Sequence, residues 1–176
     1  MHFRTKVIMG DVIKMIRQEK RRFNTIMVLV TAVILLMYRD DILGSFLAPL
    51  TMMTARATLV LLHWLGIEAV QVATRIYHPD GFVYEIYYRC TGFLPAAFLV
   101  IAILAYPRPV ISKIWGLVVG VSVLMALNLT RLIHLFYLGV YHPAAFDFVH
   151  TILWRGGLIL AIVCLWRGWI KWSRSH

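Results

Sequence analysis

The chain reads as an all-α integral membrane helix bundle. It should hold about four transmembrane helices, an outer-face interfacial helix and a small β-hairpin. Three observations predict this. Apolar residues make up 61% of the 176 residues and charged residues only 15%, with a mean hydropathy of +0.77; a soluble domain is less apolar and more charged. The apolar residues gather into long runs separated by short polar or proline-containing joints. Basic residues concentrate at both ends and in one joint. Backbone groups in lipid must be satisfied within the protein, so the spanning elements are helices. The net charge of +10 marks cytoplasmic flanks and contact with anionic membrane lipid, not nucleic acid.

Each element has its own signal. In residues 1–22, Arg4, Lys6, Lys14, Arg17, Lys20, Arg21 and Arg22 interleave with Val12, Ile13, Met15 and Ile16. That pattern predicts a basic amphipathic helix on the cytoplasmic leaflet; a disordered basic leader is the plainer alternative. Phe23 to Tyr38 is a first span, near the lower limit of ~17 residues, and no clear cleavage site follows it, so it reads as an uncleaved anchor. Ala48 to Gly66 is apolar but carries Thr51, Thr54, Arg56, Thr58 and His63, with Pro49 in a first-turn position. From Glu68 to Tyr88, Val70, Val72, Ile76, Phe82, Tyr84, Ile86 and Tyr88 fall at mostly alternating positions around the turn signal His78-Pro79-Asp80-Gly81. This predicts a hairpin over about 68–88. Further spans run over Gly92 to Tyr106, from Ile114 to about Tyr137, and over Thr151 to Trp166. The Pro107-Arg108-Pro109 joint separates the first two. Residues 167–176 form a basic, tryptophan-bearing anchor. One membrane-embedded domain, 23–166, therefore lies between two basic flanks, with no internal repeat.

Parity sets the topology. If Ala48 to Gly66 crosses the membrane, Arg108, Lys113 and the basic C-terminal tail all fall outside. If it lies at the interface, the N-terminal segment, the 107–113 joint and the tail are all cytoplasmic, as the positive-inside rule favours. The second layout gives four spans, both termini inside, and Ala48 to Gly66 on the outer face.

In that layout Cys90, Arg131 and His150 meet at the outer membrane face. Cys90 precedes a span, and Arg89 beside it favours the thiolate. Thr91 and Gly92 leave the backbone there lightly covered, with N–H groups placed to face a ligand. Arg131 lies 18 residues beyond Lys113, roughly 27 Å of helix, near the outer edge of the hydrocarbon. Asn128 shares its helix face and is placed to hold the guanidinium or contact substrate. His150 opens the last span, with Asp147 one turn away as a candidate orienting group and His134 as a rival acid–base residue. Each has a plainer reading: a packed thiol, a snorkelling arginine, an interfacial histidine. Cys164 lies 14 residues past His150, roughly 21 Å deeper along the helix, and is assigned to packing. Two cysteines make no disulfide framework, and no cofactor or metal is expected.

Three blocks carry a resemblance: Arg89-Cys90-Thr91-Gly92 before a span, Asn128-Leu129-Thr130-Arg131-Leu132 late in the next, and Phe148-Val149-His150 opening the last. In order, spacing and membrane depth, the chain resembles the exosortase/archaeosortase family of integral-membrane cysteine transpeptidases, over roughly Gly81 to Trp166. The family commonly has Ser or Asn after the cysteine; Thr91 keeps a hydroxyl there. The resemblance implies a Cys–Arg–His enzyme of a bacterial-type cytoplasmic membrane, with its active site on the outer face. Its substrates would be exported proteins ending in a short motif, a transmembrane helix and a basic end. Cys90 would form a thioester that passes to an amine, an alcohol or water. The competing reading is a non-catalytic membrane assembly or scaffold protein whose polar residues only join helices.

Overall fold

The computed structural model describes residues 42–174 and, before them, positions 18, 21, 24, 25, 27, 28, 31 and 32. Those eight positions are helical. The rest of the expected basic segment and first span lies outside the described residues, as do positions 175–176 of the tail.

Helix α1 (Ile42–Phe46) leads into α2 (Ala48–Trp64), where Pro49 occupies the first turn. Thr51, Thr54, Ala55, Thr58 and Leu62 are the buried residues of α2, and their spacing puts them on one face. The three threonine hydroxyls donate to carbonyls one turn back, at 2.8–2.9 Å. This face can therefore be buried without orphaned donors.

The segment expected to be a hairpin is a three-stranded antiparallel sheet: β1 (Val70–Val72), β2 (Arg75–Tyr77) and β3 (Val83–Glu85). The His78–Gly81 turn joins β2 to β3, with Gly81 at φ 92 and His78 N–H donating to Phe82 O. The other turn has no glycine, proline or asparagine. Ala73 takes the left-handed conformation at φ 54, and the Gln71 side-chain amide donates to its carbonyl at 2.6 Å. Ile76 pairs with Tyr84 across β2 and β3, and both side chains are buried.

A single 3₁₀ turn, Tyr88–Cys90, connects the sheet to α3 (Phe93–Ala105). Pro107 and Pro109 end α3 and precede α4 (Val110–Tyr141). The expected span from Ile114 to about Tyr137 is thus longer at both ends. Asn128 and Arg131 do not interrupt it, because both sit on its buried face. Helix α5 (Pro143–Phe148), a π-turn (Val149–Leu153) and α6 (Trp154–Trp172) form one continuous helical rod, so the last helix also extends well beyond the expected Thr151–Trp166.

Helices α3, α4 and α6 pack on one another, and α2 packs on α4, on the 3₁₀ turn and on the sheet. One buried cluster unites Ala55 and Leu62 of α2, Ile76, Tyr84 and Ile86, and Leu132, Leu135 and Phe136 of α4. A second unites Leu99, Ile103, Leu124 and Trp169. There Trp169 Nε1 donates to Ser112 O at 2.8 Å, in space left open by the missing side chain of Gly116.

Among the described residues, two stretches, Val110–Tyr141 and Pro143–Trp172, are long and apolar enough to cross a membrane. Helix α3 has 13 residues, about 20 Å of rise against the ~30 Å hydrocarbon core. Much of the outer face of α4 and α6 is exposed and apolar, including Ile114, Val118, Ile159 and Leu160. Surfaces of that kind are normally covered by lipid or protein.

Candidate active site

A cavity of about 880 Å³ opens between the 3₁₀ turn, α3, α4 and the π-turn of the last rod. Cys90, Arg131 and His150 all line it. They come from three separate elements and meet because the 3₁₀ turn, α4 and the last rod converge here.

Cys90 closes the 3₁₀ turn, its N–H donating to Tyr87 O at 2.8 Å. It is half-buried and is a free thiol. Behind it, Thr91 is 1% exposed. The Thr91 hydroxyl donates to Tyr88 O at 2.7 Å and accepts from Phe93 N–H at 3.3 Å. Gly92 has φ 76, and a Cβ there would meet the Asn128 side chain at 3.0 Å. Thr91 and Gly92 therefore shape the backbone behind Cys90 and do not line the cavity, contrary to the expectation that their N–H groups face a ligand.

Asn128 is 2% exposed. Its Nδ2 donates to Cys90 O at 2.8 Å, across 38 residues of sequence. It therefore acts on the cysteine turn and is not among the residues lining the cavity, whereas the sequence placed it to hold the Arg131 guanidinium or contact substrate. One turn along, Arg131 is 7% exposed. The buried Arg131 Nε and Asn128 Oδ1 have no hydrogen-bond partner among the described residues. Arg89 also lines the cavity, with its Nε donating to Tyr88 Oη at 3.1 Å and its guanidinium over the Tyr88 ring.

His150 sits in the π-turn, its ring 5.7 Å from that of Phe146. Asp147 is exposed and does not line the cavity, and no hydrogen bond joins it to His150 among the described residues. His134 is engaged elsewhere: Trp154 Nε1 donates to its Nδ1 at 3.1 Å. Cys164 lines a different groove, with Trp115, Gly116 and Trp172.

Arg155 also lines the cavity, and sequence reasoning passed over it. In a regular α-helix with 3.6 residues per turn, five residues carry a side chain about 140° round the axis. The π-turn widens the repeat toward five residues and brings His150 and Arg155 to one side. Leu158, Ile159 and Ile162 continue that face along the cavity wall. No local sequence signal marks a π-turn. The excess of basic over acidic residues after His150 was the available hint.

Opposite α6, Leu94, Pro95 and Phe98 of α3 form the apolar wall. Among the described residues no carboxylate lines the cavity. At its rim Tyr87 donates to Glu85 Oε2 at 2.9 Å; this bond pulls the Glu85 carboxyl below its ordinary range and raises the Tyr87 phenol. Behind Cys90, burial pushes the Tyr84 phenol up, charge on Cys90 adds to the rise, and Arg131 opposes it. The arrangement brings a thiol, guanidinium groups and an imidazole together beside an apolar wall. Among the described residues no cluster of His, Cys, Asp or Glu is placed to hold a metal.

Searches of curated proteins and of solved structures each return no match. The family model for transmembrane exosortases matches residues 15–172, and that match, spanning the sheet, the cavity and both long apolar helices, makes the chain a member of the transmembrane exosortase family.

Proposed function

We propose that this membrane protein is a cysteine transpeptidase or peptidase that cleaves the C-terminal sorting tail of exported proteins through a thioester at Cys90. The observation that carries the reading is the meeting of Cys90, Arg131 and His150 around one cavity with an apolar wall. A tail consisting of a motif, a transmembrane helix and a basic end matches such a cavity. The motif lies beside Cys90, and the helix runs along the apolar faces of α3 and α6.

In this mechanism the Cys90 thiolate attacks the scissile carbonyl carbon. Arg131 favours the thiolate beforehand and the oxyanion as it forms. The C–N bond breaks, and the leaving amine takes a proton from His150. The resulting thioester passes to an amine, an alcohol or water, with His150 accepting the proton that the acceptor sheds. Asn128 and Thr91 hold the turn that presents the sulfur. Arg89 and Arg155 add positive charge at the cavity edge.

The proposed layout is multi-pass in a bacterial-type cytoplasmic membrane. One domain over 23–166 makes four spans, with both termini inside and the cavity at the outer face. The balance of Lys and Arg between the two sides supports it. Helix α3 is short for one of these spans, and thinning of the bilayer around it accommodates the mismatch.

Co-expression with a tailed substrate tests the reading. Cys90→Ala abolishes processing while membrane insertion continues. Normal processing by Cys90→Ala would leave a scaffold that recruits a separate peptidase as the better account.

A further inference from the structure

Tyr84 is not among the residues that line the cavity. It is 7% exposed and belongs to the buried cluster against which Cys90 packs. Its ring is held on three sides. Phe82 stacks on it at 6.3 Å, and Phe136 and Phe146 meet it edge-on at 6.5 and 6.3 Å. The pairing of Ile76 with Tyr84 fixes the backbone beneath it. Phenylalanine would satisfy all of these contacts. The hydroxyl adds a buried donor with no hydrogen-bond partner among the described residues, and burying an unpaired hydroxyl opposes folding.

We propose that Tyr84 is a positioning residue for Cys90: its hydroxyl donates a hydrogen bond to the sulfur when Cys90 ionises, holding the thiolate toward Arg131 and the cavity. This rests on the reading of Cys90 as the nucleophile. A neutral thiol is a weak acceptor, whereas an anionic sulfur is a strong one. The donor therefore finds its partner in the reactive state, which gives a physical role to a hydroxyl that packing does not need. No bond is made or broken at Tyr84. The thiol proton goes to His150 or to solvent, and the phenol keeps its own. Burial keeps the phenol protonated beside the thiolate, so it remains a donor throughout the neutral range.

The experiment uses the full chain in nanodiscs with Cys164→Ala as background, so that Cys90 is the sole thiol. The rate of Cys90 alkylation by iodoacetamide is followed by intact mass as a function of pH. Tyr84→Phe keeps the ring and should raise the midpoint of the profile by about one unit. Processing of a tailed substrate should lose about tenfold in kcat with KM unchanged. Phe82→Leu, which loosens the same cluster but keeps the hydroxyl, should leave the midpoint in place. An unmoved midpoint in Tyr84→Phe, or an equal shift in Phe82→Leu, overturns the proposal. Arg131→Ala separates the two readings. If it raises the midpoint while Tyr84→Phe does not, Tyr84 is wrong and the nucleophile reading stands. If Cys90 titrates like a free thiol near ~8.5 and no variant moves it, both fail.

Discussion

Replacing Asn128 by Leu should separate activity from stability. The side chain is nearly fully buried and donates to Cys90 O at 2.8 Å, while its own Oδ1 has no partner among the described residues. The lost hydrogen bond contributes about 0.5–1.5 kcal/mol, and removing a buried unpartnered acceptor returns about 1–3 kcal/mol. The two nearly cancel, and leucine keeps the branching and the number of side-chain heavy atoms, so the melting temperature should move by only a few degrees. Activity has no such offset. The clamp fixes the turn that carries the nucleophile, and losing about 1.4 kcal/mol of positioning slows turnover about tenfold. Asn128→Asp should do worse. Its carboxylate cannot donate to the Cys90 carbonyl, and it sits one turn from Arg131, where it neutralises the charge needed at the sulfur; a loss of about a hundredfold or more is expected. The assay is single-turnover processing of a tailed substrate, paired with thermal melts in the same detergent. Wild-type turnover by Asn128→Leu, or parallel losses of activity and melting temperature, would refute the clamp.

Further outcomes are expected. Cys90 should react with a membrane-impermeant maleimide outside intact cells and Cys164 only after permeabilisation; equal outside labelling of both would overturn the four-span layout. Arg131→Lys should process at least tenfold more slowly in a cleavage assay, because a flexible point charge replaces a planar donor fork. His150→Ala should abolish processing and His134→Ala should not, since His134 is held by Trp154 away from the cavity; the reverse pattern in cleavage assays moves the acid–base role to His134.

The apolar runs, the proline joint and the His78–Gly81 turn were legible because each is a local signal. Periodicity, φ restriction and turn chemistry act within a few residues. The meeting of Cys90, Arg131 and His150 was legible for a related reason: a membrane orders helix ends by depth, so three positions at one depth become candidates to meet. The extra strand was missed because Ala73 makes the turn in a conformation its side chain does not advertise. Arg155 was missed because its direction depends on a π-turn, with its i→i+5 hydrogen bonds, that regular helical geometry does not anticipate.

The sequence by itself determined the membrane class, the order of the helices and the small sheet among the described residues, and that Cys90, Arg131 and His150 come to one place. Hydrophobic run length and charge placement are one-dimensional properties, and the bilayer turns them directly into structure. Only the tertiary structure decided that Asn128 serves the Cys90 turn, that Thr91 and Gly92 stand behind it, that Asp147 does not line the cavity, and that Arg155 and Tyr84 belong to the neighbourhood of the sulfur. Those roles depend on which way side chains point where packed elements meet. That direction is set by helix phase, sheet register and close packing across dozens of residues, and no local pattern encodes it.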